Sequence, residues 1–182
     1  MSKAGWDESL DTLAEVLEEG EAGMAKMNIT AEPGKQEIVM TRIFDAPRED
    51  VWRTVTVPEL IPRWWGSRSF TTTVTVRDVR PGGIWRFVQR DADGNEYAFH
   101  GVYHEVALPE RLVYTSEFEG MPGRVQLETV TFEDLNGRTK MTDRSIFQIV
   151  EDRDGMLQSG MEKEVTESMD RLAGLVEKQR AR

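Results

Sequence analysis

The 182-residue sequence contains no cysteine. This absence excludes disulfide bonds, thiolate metal ligands and a cysteine nucleophile, and it fits a reducing compartment. No apolar run approaches the roughly 18 residues that a membrane-spanning helix requires, and the N-terminus lacks the basic and then apolar pattern of a secretion signal. We therefore expect a cytoplasmic protein without a membrane partner.

Basic residues are scarce relative to acidic ones. The chain has 23 Lys and Arg against 33 Asp and Glu, which gives a net charge of −10. Because a phosphate backbone requires a basic footprint and no basic block is present, we expect no nucleic-acid partner. The hydrophobic share of 38% is typical of a folded domain, and the length suits one domain with a short appendage.

Hydrophobic alternation and turn residues divide the chain into short elements. One strand is predicted within 36–45, followed by a short helix that begins at Pro47 and another between Pro58 and Gly66. Six further strands are predicted at 70–79, 83–91, 96–107, 112–119, 125–134 and 139–150. A long helix is predicted from about Gly155 to Arg180, where apolar residues are spaced by three and four.

The links between these strands are only a few residues long, which requires antiparallel neighbours. The predicted fold is therefore α+β, with a curved antiparallel seven-stranded sheet wrapped around the long C-terminal helix and two short helices after the first strand. We divide the chain into an extra N-terminal amphipathic helix at 1–23, a linker at 24–35 and a domain at 36–180.

Two hairpin signals assign side chains to the inner face of the sheet. A three-residue turn ending at Gly94 would pair Asp91 with Asn95 and give an inner face rich in aromatic residues. A two-residue Asp93-Gly94 turn is the alternative, and it would reverse every side chain of the next strand. In the three-residue register, the inner face carries Trp85, Phe87, Tyr97, Phe99, Gly101, Tyr103, Tyr114, Ser116 and Phe118.

The Asn136-Gly137 dipeptide is a strong two-residue turn signal. It places Val130 and Phe132 beside Met141 and Asp143. Asp143 would then be a lone carboxylate on an apolar surface, and a buried carboxylate requires a partner or a raised pKa.

Several segments together resemble one family. They are FDAPREDVWRTVTVPELIPRWWG, VRPGGIWRF, DADGNEYAFHGVYHEVALPERLVYT and GMEKEVTESMDRLAGLVE, within residues 36–178. The chain resembles the bacterial branch of the activator-of-heat-shock-ATPase-homologue family, in the START-like (SRPBCC) superfamily. The resemblance implies the helix-grip fold and an internal cavity for small apolar ligands, but little chemistry. Members usually carry a glycine and a tryptophan where this chain has Glu164 and Val165.

The N-terminal segment 5–18, GWDESLDTLAEVLE, resembles 164–177, EVTESMDRLAGLVE, with Trp6 at the position of Val165. One explanation is that this segment is the remnant of an upstream domain, or an extension that precedes the natural start of the protein. A second is a helix that packs on an apolar surface, in this chain or, by swapping between protomers, in a homodimer. A membrane-surface helix is disfavoured by its acidic polar face.

Catalytic and metal-binding patterns are weak. His100 and His104 have the spacing of a metal pair on a helix, but they lie on a predicted strand, so surface histidines are the simpler interpretation and no metal is expected. The RPGG segment lacks the helix and lysine of a phosphate loop, and no cofactor is expected. Glu105, placed opposite Tyr114, and Asp143 are the strand acids that could point inward as general acids, yet we assign no catalytic residue.

The inner face and the long helix provide the candidate ligand-binding residues. Trp64 and Trp65 could be core, or one indole could line a cavity with its N–H free for a ligand. The methionines of the long helix could close the core or leave a gap. The candidate set is Trp65, Trp85, Phe87, Phe99, Tyr103, Tyr114, Phe118, Met141, Asp143, Met161, Val165 and Met169.

Three functions remain open from the sequence. The first is binding of a small apolar or amphipathic molecule between the sheet and the C-terminal helix, in a cavity of several hundred Å³. The second is a protein-interaction module of the chaperone-ATPase-regulator type, with a filled core and an exposed apolar patch. The third is a cyclase or hydratase, which would require an acid-base pair facing the cavity.

Overall fold

The computed structural model describes residues 27–180, with the side chains of residues 27–177. The hypotheses about the extra helix at 1–23 and about the first residues of the predicted linker lie outside the described residues. None of the helices within 27–180 combines the length and the apolar character that crossing a membrane requires.

Eight antiparallel strands form one sheet in the order β1-β2-β8-β7-β6-β5-β4-β3. The bounds are β1 Asn28–Thr30, β2 Glu37–Phe44, β3 Thr71–Arg77, β4 Ile84–Arg90, β5 Glu96–Ala107, β6 Arg111–Phe118, β7 Val125–Leu135 and β8 Arg138–Ile146. The α+β class is confirmed, with eight strands instead of the predicted seven. The additional strand β1 lies in the predicted linker, where a turn at Gly34 (φ 79°) folds it back onto β2.

The β4–β5 hairpin adopts the three-residue turn. The Asp91 N–H donates to the Asn95 carbonyl at 3.0 Å, and Gly94 has φ 84°. Phe87 consequently lies opposite Phe99 on the inner face, and the two-residue alternative is wrong. Glycine accepts the left-handed conformation of this turn without steric cost, so the turn type could be predicted from the sequence. The turn type sets the register, and the register places the aromatic side chains on the inner face.

The Asn136-Gly137 turn also has the predicted geometry. Both residues have positive φ angles, 54° and 91°, as a type I′ turn requires. Val130 therefore lies opposite Asp143, as predicted.

A β-bulge between Val74 and Val76 changes the inner face of β3. Val74 lies opposite the inward-facing Phe87, but after the bulge it is Arg77 that lies opposite the inward-facing Trp85. Val76 is 38% exposed. An unbroken alternation would place both valines inside and the arginine outside, so the extra residue brings a cation to the inner face.

A second bulge lies between Tyr103 and Glu105 in β5. Tyr103 pairs with Tyr114, so Glu105 is opposite Val113 instead of Tyr114. Glu105 is exposed and forms an ion pair with Arg111 at 3.4 Å. The interpretation of Glu105 as an inward general acid is therefore wrong, because the extra residue of the bulge shifts the register.

Four helical segments accompany the sheet. They are α1 Arg48–Thr56, a 3-10 helix Ile61–Arg63, α2 Val150–Gln158 and α3 Met161–Arg180. The two short helices after the β2 strand are confirmed. The predicted single helix from Gly155 is in fact two helices, separated at Gly160 with φ 84°, where the left-handed conformation interrupts the helix.

The core lies between the inner face of the sheet and the helices α1 and α3. The apolar stripe of α3 provides Met169, Leu172 and Val176, of which the last two have no exposed surface. They pack with aromatic residues of the sheet and of α1 in one cluster. A smaller cluster contains Ile38 of β2 and Phe147, which follows β8. The long helix therefore covers the sheet as predicted, because its stripe is the largest apolar surface opposite the inner face.

Candidate functional site

A cavity of about 180 Å³, partly open to solvent, lies between the inner face of the sheet and α3. Its walls are mostly apolar. The predicted ligand-binding residues that line it are Trp65, Trp85, Phe87, Tyr103, Tyr114, Met141, Asp143, Val165 and Met169. The lining residues that the prediction did not include are Met27, Met40, Val55, Trp64, Arg77, Leu112, Val130, Phe132 and Ser168.

Three predicted residues lie away from the cavity. Phe99 and Phe118 pack on each other with ring centroids 5.1 Å apart, and Phe99 also contacts the edge of Trp65 at 5.3 Å. Met161 packs in the smaller cluster, near Phe147. Phe99 and Phe118 share the inner face with the lining residues, but they lie farther along their strands and form the wall behind Trp65.

Trp64 and Trp85, which line the cavity, direct their indole N–H groups into the protein. Trp64 donates from Nε1 to the Thr54 carbonyl at 2.9 Å. Trp85 donates from Nε1 to the Thr115 carbonyl at 3.1 Å. Both indoles therefore offer the cavity apolar surface and no hydrogen-bond donor. The hypothesis that one indole of the Trp64-Trp65 pair donates to a ligand thus stays a prediction for Trp65, which also lines the cavity.

Gly101 makes the Trp85 hydrogen bond possible. It lies opposite Trp85, and a Cβ atom there would stand 1.7 Å from the Thr115 carbonyl oxygen and 2.6 Å from Trp85 Nε1. Such contacts are far shorter than van der Waals distance. Only glycine lets this indole lie flat across β5, which sets the shape of the cavity wall.

Helix α3 holds the Trp64-Trp65 turn against the cavity. The Ser168 hydroxyl donates to the Trp64 carbonyl at 2.9 Å and accepts from the Gly66 N–H at 3.2 Å. Arg171 donates from Nη1 to the Gly66 carbonyl at 2.8 Å. This turn lies outside the sheet, so its backbone N–H and carbonyl groups need other hydrogen-bond partners, and α3 provides them. The bonds also fix both tryptophans relative to the helix.

Arg77 is the cation of the cavity wall. Its Nη2 donates to the Val55 carbonyl at 2.6 Å, and its Nε is buried without a partner among the described residues. The guanidinium lies 5.3 Å from the ring centroid of Phe87 and 5.8 Å from that of Tyr103. Burial lowers its pKa, and the neighbouring tyrosines oppose that effect.

Two tyrosines lie between Arg77 and the carboxyl groups of the cavity. Tyr103 and Tyr114 have ring centroids 5.6 Å apart. Burial raises the pKa of Tyr103, and burial together with the charge of Asp143 raises that of Tyr114 well above 10.0. Both phenols are therefore neutral at physiological pH and act as hydrogen-bonding groups.

Asp143 is not the lone carboxylate that the sequence predicted. Glu128, which is 7% exposed, lies beside it on the inner face, and the two carboxyl groups interact. Ser145 donates from Oγ to Glu128 Oε2 at 2.5 Å. Asp143 Oδ1 is shielded from solvent and has no hydrogen-bond partner within residues 27–180. Alternation along β7 would have revealed Glu128, since Val130 and Phe132 were already placed on the same face.

The environment of this pair favours one shared proton. Burial is the largest cause that raises the pKa of each group, and the charge of Asp143 raises that of Glu128 well above 4.5. Two adjacent buried carboxylates repel each other, so the proton resides mainly on Glu128. Asp143 is then the carboxylate of the cavity.

A protein-family model matches residues 45–177, which span the sheet from the end of β2 onward, the cavity and most of α3. Its description is Activator of Hsp90 ATPase homolog 1-like protein. The chain belongs to this family. The family and the fold predicted from the sequence are thus confirmed.

Solved structures of bacterial proteins share the fold of this chain. A solution structure from Arthrobacter aurescens is 24% identical, with 83% of this chain and 91% of that chain covered and a TM-score of 0.77. A crystal structure from Rhodobacter sphaeroides is 25% identical, with 82% and 97% covered and a TM-score of 0.76. A Silicibacter pomeroyi protein described as AHSA1 is 18% identical, with 79% and 99% covered and a TM-score of 0.64.

No curated protein matches the chain. The comparisons therefore define family and fold, and the function has to be argued from the site.

Proposed function

We propose that this domain binds a small apolar or amphipathic molecule in the cavity between the sheet and α3. The observation that carries the proposal is the cavity itself, about 180 Å³ with mostly apolar walls. An engineered apolar cavity of roughly 150 Å³ admits benzene, so this space suits a single ring with a small substituent. It is smaller and more open than the closed cavity of several hundred Å³ that the sequence led us to expect. It is also smaller than the roughly 300–1,000 Å³ of drug-sized sites, which excludes large ligands unless they protrude through the opening.

The proposal is tested by filling the cavity from the helix. Val165 lines the cavity, whereas its neighbour Glu164 is exposed. We expect Val165→Trp to occupy the space, because an indole added at this position points toward the opposing wall. Glu164→Trp adds the same side chain outside the cavity and is the matched control.

The measurement is the melting temperature with toluene, p-cresol or indole. A probe at ten times its Kd stabilises by about 1.4 kcal/mol, which corresponds to roughly 3–6 °C for a domain of this size. We expect this shift from at least one probe for the wild type and Glu164→Trp, and no shift for Val165→Trp. If Val165→Trp responds as strongly as the wild type, the probes bind elsewhere and the proposal is refuted for them; if no probe shifts the wild type, binding of neutral apolar molecules in this cavity is refuted.

A protein-interaction module is the second candidate, and exposed apolar side chains favour it. Leu127 and Ile146 lie directly opposite each other on β7 and β8, 40% and 39% exposed. Leu108, at 71% exposure, lies in the β5–β6 turn. Scattered apolar residues are common on monomers, so this observation is weaker than the cavity.

A cyclase or hydratase is a third candidate, favoured by one observation. Asp143 lines the cavity, and Glu128 lies beside it behind the cavity wall, so one member of an acid-base pair faces the cavity. Such an enzyme would lose turnover of an aromatic precursor on substitution of Asp143, whereas a binder would keep its ligand.

A further inference from the structure

Arg77 is a partly buried cation, with Nε shielded from solvent, and it has no anionic partner in the described part of the chain. Its one hydrogen bond within residues 27–180 goes to a backbone carbonyl, that of Val55, and Nε has no acceptor. Buried charges are normally paired, because removal of a charge from water is costly. The guanidinium therefore has hydrogen-bonding capacity that residues 27–180 do not use.

Two other shielded arginines of the domain are paired with carboxylates. Arg153, which is 3% exposed, contacts Asp154 at 2.8 Å. Arg42, whose side chain is 10% exposed, contacts Asp170 at 2.5 Å. Arg77 differs from both in lining the cavity, where it is the single cationic side chain among the lining residues.

The position of the guanidinium is well defined. The bulge in β3 turns Arg77 inward, and the bond to Val55 holds one end of the guanidinium group. The rings of Phe87 and Tyr103 flank the cation at 5.3 Å and 5.8 Å. A charge that is held in place loses little conformational entropy on pairing with a ligand, which favours recognition.

We propose that the occupant of the cavity is a small monocarboxylic acid with an apolar body, whose carboxylate pairs with the guanidinium of Arg77. This inference rests on the proposed binding function and specifies its ligand class. The planar guanidinium matches a carboxylate in geometry and charge, and the apolar walls receive the rest of the molecule.

The same wall argues for one negative charge on the ligand. A phosphate dianion would require more cationic donors than Arg77 alone provides. Asp143 lines the same cavity, and its negative charge repels a second anion. The acid therefore lies with its carboxylate toward Arg77 and its apolar end, or a hydroxyl donor, toward Asp143.

The test compares acids with their neutral amides. Benzoate, phenylacetate, 3-phenylpropionate, isovalerate and hexanoate are each titrated into the full chain beside the corresponding amide, at pH 7.5, by calorimetry. Acid and amide have nearly the same shape, so their difference isolates the charge. A charge-assisted hydrogen bond predicts that at least one acid binds roughly tenfold or more tightly than its amide.

Arg77→Met and Arg86→Met are the matched variants. Both remove one positive charge, but Arg86 lies on the outer face, paired with Glu119 at 2.9 Å. We expect Arg77→Met to abolish the preference for the acid while amide binding persists, and Arg86→Met to keep the preference. Arg77→Met should remain folded, because methionine replaces an unpaired buried charge.

The outcomes separate the two proposals. Amide binding without any preference for the acid in the wild type overturns the carboxylate inference and leaves the binding function in place. A preference that persists in Arg77→Met also overturns it. If neither acids, amides nor toluene bind, the proposed function fails, and the inference fails with it.

Discussion

The buried carboxyl group of Glu128 makes the stability of the domain depend on pH. Its pKa is raised well above 4.5 by burial and by the charge of Asp143. The folded state therefore holds this proton more tightly than the unfolded chain does. The stabilisation that comes from this bound proton is complete below the pKa that glutamate has in the unfolded chain. It is lost as the pH rises through the pKa of Glu128 in the folded state.

We expect Glu128→Gln to be more stable than the wild type at pH 8, by on the order of 1 kcal/mol, and the difference to shrink toward pH 5. Glutamine keeps an acceptor for Ser145 and a donor for Asp143, without the cost of a buried charge. The measurement is the free energy of unfolding in urea between pH 5 and 8.

Glu133→Gln is the control for this prediction. Glu133 lies on the same strand but is exposed on the opposite face. The same change of charge there should have no comparable pH-dependent effect. A stability difference for Glu128→Gln that does not vary with pH would contradict the assignment of the shared proton.

Helix α3 is the element on which the domain depends most. It covers the inner face of the sheet, holds the Trp64-Trp65 turn through Ser168 and Arg171, and forms one wall of the cavity. The buried residues of α3 thus contribute both to the stability of the domain and to the wall of the cavity. Substitutions among them are expected to affect both.

We expect Leu172→Ala to lower the free energy of unfolding by about 2–5 kcal/mol, because it removes a fully buried side chain and leaves a void. Lys163→Ala, at an exposed position of the same helix, should change it by less than about 0.5 kcal/mol. Urea denaturation measures both. Equal effects would show that the stripe does not face the core.

At the scale of the whole domain, residues 27–180 form one continuous sheet and one main core. Strands β2 and β8 are neighbours although Glu37 and its partner Ile146 are far apart in sequence. After β2, the chain crosses through α1 and the 3-10 helix to the other edge of the sheet, where β3 lies. The main core contains residues of α1, α3 and most strands of the sheet, so unfolding should be cooperative.

We expect the urea transitions followed by tryptophan fluorescence and by far-UV circular dichroism to have the same midpoint. A Trp6→Phe background confines the fluorescence signal to Trp52, Trp64, Trp65 and Trp85, which belong to the main core or pack on it. Leu172→Ala in this background should shift both midpoints together. A fluorescence transition at lower urea would reveal a separately unfolding core.

Much of this architecture was predictable from local chemistry. Gly94 and the Asn136-Gly137 pair specify their turns, and turns set the register of the strands that they join. The spacing of Met169, Leu172 and Val176 likewise specifies which side of α3 is buried. These features depend on neighbours in sequence, so they can be recognised without coordinates.

The rest of the site depends on contacts between distant segments. The bulge that turns Arg77 inward leaves no pattern in TTTVTVR, because the paired strand determines where the extra residue is accommodated. The exposure of Glu105 has the same kind of origin. Sequence reasoning therefore missed the cation and misplaced one acid.

By itself, the sequence determined seven of the eight strands, the main turns, the apolar stripe of the last helix and the family, because each is written in residues that are close along the chain. The tertiary structure alone decided that Arg77 joins Tyr114 and Asp143 at one cavity and that Glu105 lies outside it. Bulges and long-range strand pairing, which add or shift single residues, reverse the direction of a side chain and so decide which charges meet.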